Sequence, residues 1–355
     1  MIDYIGVGTI RALLEEIGVA NFIEQLANEI EADYRRWGAF EKAARLASHS
    51  RVGVIELMPI SDGQRYSFKY VNGHPCNTSL GLLTVTAFGV LAAVETGYPL
   101  LLSELTVTTA LRTAATSALV ARWLARRDGR SMALIGSGAQ SEFQAIAFHR
   151  MLGIRELRIF DVDPLAMVKL EHNLHTSGEL ADLAVIRSPS AAEAARGADI
   201  VTTVTADKRN AIIVENSMVA RGMHLNAVGG DCPGKTELQR DILTRPDCRI
   251  FVEYEPQSRI EGEIQQLPAD FPITELAQVF CGAAPGRRSD EEVTLFDSVG
   301  FALEDYSALR FLYGLLPQFP HLRQQLDLIP DVDDPKDLLG GVLGSRGRAR
   351  VRRVA

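Results

Sequence analysis

The run Met132-Ala133-Leu134-Ile135-Gly136-Ser137-Gly138-Ala139-Gln140-Ser141 leaves this chain few folds to choose from. Four apolar residues read as a buried strand, and residues 139–152 read as a helix. Gly136 permits a tight turn between them. Gly138 lets the backbone approach a pyrophosphate, whose charge then sits at the helix N-terminus. The third fingerprint position holds Ser141 rather than Gly or Ala, a departure from the strict pattern. The next strand, 157–160, runs into Asp161. An acid there accepts hydrogen bonds from ribose hydroxyls and repels a 2′-phosphate, so the pattern predicts NAD rather than NADP. Asp163 is an alternative ribose ligand, but Asp161 follows the strand directly. The competing reading is a glycine turn in an α/β domain that binds no nucleotide.

The alternation continues beyond this unit. Residues 164–175 and 191–196 read as helices, and 183–186, 200–204, 224–228, 250–252 and 293–296 as strands. Strands alternating with helices predict a Rossmann-type, doubly wound parallel sheet over residues 129–300. Upstream the rhythm differs. The first forty residues look helical, with Phe22, Ile23, Leu26, Ile30 and Tyr34 at three- and four-residue steps. Then 52–58, 66–71, 83–94 and 100–105 read as strands of a mostly antiparallel sheet, followed by a helix over 108–126. The expected architecture is α/β: an α+β substrate-binding and dimerisation domain over 1–128, and the nucleotide domain. A helix at 301–315 and an irregular remainder, together 301–355, return to the first domain.

Composition excludes some functions. A net charge of −8 argues against nucleic acid as a partner, which needs a basic face. The C-terminal tail runs the other way, with Arg346, Arg348, Arg350, Arg352 and Arg353, and reads as a solvated arm or a contact for an anionic partner. Residues 70–94 carry no Asp, Glu, Lys or Arg, but Asn72, Gly73, His74, Pro75 and Asn77 make them a poor membrane span. The first residues lack a signal-peptide pattern. Cys76, Cys232, Cys248 and Cys281 have no metal or redox spacing, which predicts reduced thiols in a cytoplasm. Neither the histidines nor the cysteines suggest a metal site.

Charges inside apolar segments are costly unless paired or exposed. Glu56, Lys69 and Arg112 lie in such segments. Each reads either as part of a polar site or as an outward-facing or structural charge. Asp231 is sharper, because it follows the apolar run Leu225-Asn226-Ala227-Val228 and two glycines. In open α/β sheets ligands bind beyond the carboxyl ends of strands. The alternative for Asp231 is a helix cap, and Cys232 beside it reads as a small buried thiol.

These residues resemble the ornithine cyclodeaminase and mu-crystallin family, and within it the bacterial ornithine cyclodeaminases. The likeness spans essentially the whole chain. It is carried by Ala44-Arg45-Leu46-Ala47-Ser48-His49, Glu56-Leu57-Met58-Pro59, Lys69-Tyr70-Val71-Asn72-Gly73-His74-Pro75, Ala110-Leu111-Arg112-Thr113-Ala114-Ala115, the glycine turn, residues 226–235, and Phe296-Asp297-Ser298-Val299-Gly300. The resemblance implies conversion of L-ornithine to L-proline and ammonia with bound NAD, by a homodimer. It implies that Arg45 and Lys69 hold the substrate carboxylate, with Arg112 nearby and shared with the cofactor. Glu56 and Asp231 face the amino groups, Asp231 as proton acceptor and donor, and Val299 lines the pocket. Thr84, Ala139, Gln140, Asp161, Thr205, Leu225, Asn226, Ala227, Val228, Lys235 and Ser298 are implied NAD contacts. Rival activities within the resemblance are an amino-acid dehydrogenase, a cyclic ketimine reductase and a lysine cyclodeaminase. A rival of another class is a crystallin-like protein that binds a nucleotide or ligand without turnover.

Overall fold

The computed structural model describes residues 1–206 and 211–343. The arginine tail lies outside the described residues. Among those residues the strands form two eight-stranded sheets. The first holds β1 (Ile2–Ile5), β2 (Glu41–Lys42), β3 (Leu46–His49), β4 (Val54–Ser61), β5 (Arg65–Gly73), β6 (Val85–Ala93) and β7 (Pro99–Glu104). The second holds β8 (Ser131–Ile135), β9 (Glu156–Phe160), β10 (Ala184–Arg187), β11 (Ile200–Thr203), β12 (His224–Ala227), β13 (Cys248–Val252), β14 (Thr274–Glu275) and β15 (Val293–Asp297). The chain then returns, and β16 (Gln324–Leu326) pairs with β1 at the edge of the first sheet. The α-helices are α1 (Val7–Ile17), α2 (Val19–Tyr34), α3 (Thr106–Leu124), α4 (Ser141–Leu152), α5 (Pro164–Thr176), α6 (Ala191–Ala195), α7 (Arg240–Leu243), α8 (Glu255–Glu261), α9 (Leu276–Phe280), α10 (Ala302–Leu315) and α11 (Leu338–Leu343). None of the described helices is long and apolar enough to cross a membrane.

Strands β4 to β7 form an antiparallel meander. Their two-residue period puts Val54, Glu56, Met58 and Ile60 on the inner face, and Ile55 and Leu57 outside. The β4–β5 register sets Met58 opposite Lys69 and Glu56 opposite Val71, so Glu56 and Lys69 are diagonal neighbours on one face. Helix α10 covers that face and also packs on α2 and α3. Leu309 and Leu312 on α10 are fully buried, and truncating either to Ala costs about 2–5 kcal/mol.

The second sheet is parallel throughout, in the order β10-β9-β8-β11-β12-β15-β13-β14. It is a doubly wound α/β sheet whose order reverses between β8 and β11. Crevices at such a switch point, beyond the carboxyl ends of the strands, are where ligands bind.

Two expectations need correction. The opening residues are not wholly helical, because β1 precedes α1 and pairs parallel with β7. The C-terminal remainder, expected to be irregular, contributes β16 and the short helix α11. Both strands are too short for a periodic signal, and their partners lie far away in sequence.

Candidate active site

The glycine turn stands at the switch point. Gly136 has φ +105°, and a Cβ there would fall 2.9 Å from the Val204 carbonyl oxygen, so β8 and the end of β11 approach as closely as glycine allows. A Cβ on Gly138 would meet nothing within 4 Å, so this stretch of backbone is open to a ligand. Helix α4 begins with no side-chain cap, and the Gln140 amide donates to the Ala110 carbonyl at 3.0 Å. Glu142 in its first turn is neutralised by Lys169 at 2.7 Å. The Asp161 carboxylate accepts from the Ser137 N–H at 2.6 Å and the Asp163 N–H at 2.9 Å, which fixes it against the turn. Asp163 is occupied capping α5 through the Leu165 N–H. Bare backbone, an uncapped helix N-terminus and an acid at the neighbouring strand's end together fit a dinucleotide.

Beside the turn a cleft opens between the two sheets. Arg45, Glu56, Lys69, Thr84 and Arg112 line it from the first sheet and α3, Gln140 from the glycine turn, and Thr205, Val228, Asp231, Lys235, Ser298 and Val299 from the second sheet. The charges that stood out in apolar segments thus converge, and they are also ion-paired. Arg45 Nη1 donates to Glu56 at 3.0 Å. Lys69 donates to Asp305 at 2.8 Å. Arg112 meets Glu304 at 2.8 Å and Asp305 at 3.2 Å. Burial pulls the Lys69 ammonium down to about 8 against the opposing pull of Asp305. Burial also works against the Arg45 charge, but Glu56, Glu261 and Asp231 outweigh it and hold the guanidinium above its ordinary value. Burial raises the Glu304 carboxyl, with Arg112 opposing.

Across the cleft, Asp231 leaves the end of β12 on a loop, its side chain half-exposed and 3.8 Å from Lys235 Nζ. It caps no helix: α7, the next one, starts at Gln239 without a side-chain cap. Cys232 is buried. Lys235 donates to the Thr205 carbonyl at 2.8 Å, and Glu237 beneath the loop accepts from the Thr205 hydroxyl and the Gly229 N–H. Ser298 donates to Glu253 at 2.7 Å, and the Val299 carbonyl accepts from Arg45.

Not every expected contact reaches the cleft. Leu225 and Ala227 pack in a core cluster of the second sheet, and the Asn226 side chain is bonded to His224 and Thr202. These three lie within β12, and the wall opens only at Val228. Ala139 faces a separate hollow between α4, α5 and Val19. Sequence reasoning missed the anions behind the cations: Glu261, Glu304 and Asp305. The last two sit in the apolar run Ala302-Leu303-Glu304-Asp305-Tyr306, where the rule that flagged Glu56 applies equally.

The sequence model of the ornithine cyclodeaminase/mu-crystallin family matches residues 9–317. The chain belongs to that family. The ornithine cyclodeaminase of Agrobacterium fabrum is 56% identical over 343 residues, covering 97% of this chain and 95% of that one. Among solved structures of similar shape is a lysine cyclodeaminase, described as recognising L-lysine, L-ornithine and L-2,4-diaminobutyric acid. It has a TM-score of 0.83 at 28% identity, covering 94% of this chain and 98% of its own. Another is an archaeal alanine dehydrogenase dimer with bound NAD, with a TM-score of 0.82 at 28% identity, covering 92% and 99%. Proteins similar to this chain therefore carry more than one chemistry on one fold, and the cleft must decide between them.

Proposed function

We propose that this protein is an NAD-dependent ornithine cyclodeaminase, a lyase that converts L-ornithine to L-proline and ammonia. The observation that carries the reading is an unpaired acceptor in a cleft of paired charges. Glu56 Oε1 is buried and has no hydrogen-bond partner among the described residues, while Glu56 Oε2 holds Arg45. An unsatisfied buried carboxylate oxygen is costly, and an ammonium group of the substrate relieves it. Arg45, Lys69 and Arg112 offer the complementary grip on the substrate carboxylate, and a guanidinium can take it by two hydrogen bonds.

Gly136, Gly138 and Asp161 would hold NAD, with Gln140, Thr205, Val228, Lys235 and Ser298 lining its site, and the bound nicotinamide would supply reversible hydride chemistry at Cα with no net redox change. The protein's own groups handle binding, orientation and protons. With the carboxylate anchored, Cα is held in one orientation at the mouth of the crevice. An ammonium can neither help expel a hydride nor attack carbon. Asp231 accepts the proton from the α-nitrogen and returns it as that nitrogen leaves as ammonia. Glu56 receives the δ-ammonium and relieves it of a proton, so that its nitrogen can close the ring. Atoms balance without net oxidation: one ornithine gives one proline and one ammonia.

The relatedness to ornithine cyclodeaminases supports this choice over dehydrogenation. The test is L-ornithine with substoichiometric NAD. Proline and ammonia should appear in equal amounts with no lasting NADH signal. Steady NADH accumulation, or pipecolate from L-lysine at a higher kcat/KM than proline from L-ornithine, would replace the reading by a dehydrogenase or a lysine cyclodeaminase.

We further infer a homodimer through the outer face of the first sheet. Leu46, Ile55, Leu57, Tyr66 and Phe88 are all at least 40% exposed there, and a contiguous apolar face of this kind calls for a cover. A cytoplasmic location fits four cysteines without a disulfide.

A further inference from the structure

Behind the cleft, α8 presents two side chains to one arginine. We infer that Glu261 is a positioning residue, which sets the Arg45 guanidinium plane for the substrate carboxylate without touching substrate itself. The inference rests on the reading of Arg45 as the carboxylate anchor. Gln257 and Glu261 are one turn apart and share a helix face. Gln257 Oε1 accepts from the Arg45 backbone N–H at 3.3 Å, and its amide donates to the Gly300 carbonyl at 2.8 Å. Glu261 Oε2 lies 3.0 Å from Arg45 Nε. Backbone and side chain of Arg45 are thus held from the same helix.

The remaining contacts show what this hold decides. Arg45 Nη2 spends both hydrogens on the Val299 and Gly300 carbonyls, and Nη1 spends one on Glu56. A guanidinium has five N–H bonds in a rigid plane. Nε lies in ion-pair contact with Glu261 without the alignment of a hydrogen bond, one Nη1 hydrogen is left for a ligand, and its direction is fixed by the plane. Glu56 pulls on one edge of that plane and Glu261 on another. Without Glu261, only the Val299 and Gly300 carbonyls on Nη2 oppose Glu56, and the free N–H turns toward it.

Glu261 is 4% exposed and does not line the cleft. It is faced by Arg45 from the segment between β2 and β3, by Glu56 from β4 and by Asp231 from the loop after β12. On its own helix, Arg259 is taken up by Glu255 and by the Pro268 and Phe271 carbonyls. Arg45 is the one cation within ion-pair distance of Glu261 among the described residues. Burial first, then the neighbouring carboxylates, lift the Glu261 carboxyl to about 7 against the opposing pull of Arg45. The hold is therefore charged above neutrality and fades as pH falls through about 7.

The experiment follows kcat and KM for L-ornithine from pH 5.5 to 8.5 in the NAD-loaded enzyme and in Glu261→Gln. In wild type, kcat/KM falls as pH drops through about 7, mainly through KM. Glu261→Gln loses that limb. At pH 8 its KM rises about tenfold to a hundredfold, the range for one charge-assisted contact, while NAD affinity stays within twofold. A variant that keeps both the limb and the wild-type KM overturns the inference. If Glu261→Gln does not fold, Glu261→Asp decides. It keeps the charge but withdraws it by one methylene, so KM rises and the limb persists, whereas a wild-type KM overturns the proposal. Wild type that makes no proline defeats the functional reading instead, a separate outcome.

Discussion

The two glycines of the turn should fail in opposite ways when given a methyl group. Gly136→Ala places an L-residue at φ +105°, with its Cβ 2.9 Å from the Val204 oxygen and 3.0 Å from the Val204 carbonyl carbon. Those are backbone atoms at the end of β11, so relief requires moving a strand. Strained backbone of this kind costs about 1–3 kcal/mol, and the contact adds on the order of 1 kcal/mol. At about 2–4 °C per kcal/mol, the melting temperature drops by roughly 4–16 °C. Gly138→Ala has no such cost, since its φ is not positive and its Cβ meets nothing within 4 Å. The change should leave melting within about 2 °C of wild type. Its methyl, however, stands where a pyrophosphate must approach, so the dissociation constant for NAD rises at least about tenfold, or ~1.4 kcal/mol. Melting without nucleotide and NADH fluorescence titration separate the two effects. Gly138→Ala that binds NAD as tightly as wild type refutes the close-approach argument. Gly136→Ala that melts with wild type refutes the strain argument.

Three other outcomes test the site and the fold. Asp231→Asn should lower kcat/KM for proline formation by about 10²- to 10⁴-fold while NAD binding is retained, and surviving turnover would remove Asp231 from proton transfer. Asp161 should make NADP a poor substitute for NAD, and Asp161→Ser should narrow the gap; equal activity of wild type with both nucleotides would sink that role. His224 is fully buried, and burial, with Arg287 adding to it, pushes its pKa down to about 3. The unfolded state then binds the proton more readily, so its share of stability is complete above about 6.5 and is lost as pH falls toward 3. His224→Gln should flatten that acid loss by about 3 kcal/mol between pH 7 and 4, read as urea midpoints; an unchanged slope would assign the loss elsewhere.

How much of this was legible depended on the range over which the signal acts. The turn at Gly136, the acid at Asp161 and the alternation around them are local, and strand, turn and helix followed directly from residue order. Charges in apolar runs were legible one at a time, at Glu56, Lys69 and Arg112. Their convergence was not, because it depends on β4–β5 register and on α10 returning from the far end of the chain to supply Glu304 and Asp305. The two alternatives posed for those charges proved not to exclude each other, since each residue is ion-paired and also lines the cleft. β1 and β16 escaped for the same reason as Glu261. Each is defined by a partner remote in sequence, and a strand of three or four residues carries no period of its own.

The balance of charge in the cleft bears on which amino acid it selects. Arg45, Lys69, Arg112 and Lys235 are ion-paired with Glu56, Glu261, Glu304, Asp305 and Asp231, one carboxylate more than the cations, and Glu56 Oε1 has no hydrogen-bond partner among the described residues. Such a site favours a ligand with net positive charge. Ornithine carries two ammonium groups and one carboxylate at neutral pH. L-norvaline has the same carbon chain without the δ-nitrogen, and it would leave Glu56 Oε1 buried and unsatisfied. That omission costs about 1.5–3 kcal/mol, a factor of about 10 to 100 in affinity. Wild type should therefore be inhibited by norvaline with a constant about 10- to 100-fold above the ornithine dissociation constant. Glu56→Gln should bring the two constants within about threefold, by weakening ornithine rather than by strengthening norvaline. If norvaline already binds wild type as well as ornithine, Glu56 does not read the δ-ammonium. Recognition of the diamino acid would then have to come from Asp231 alone.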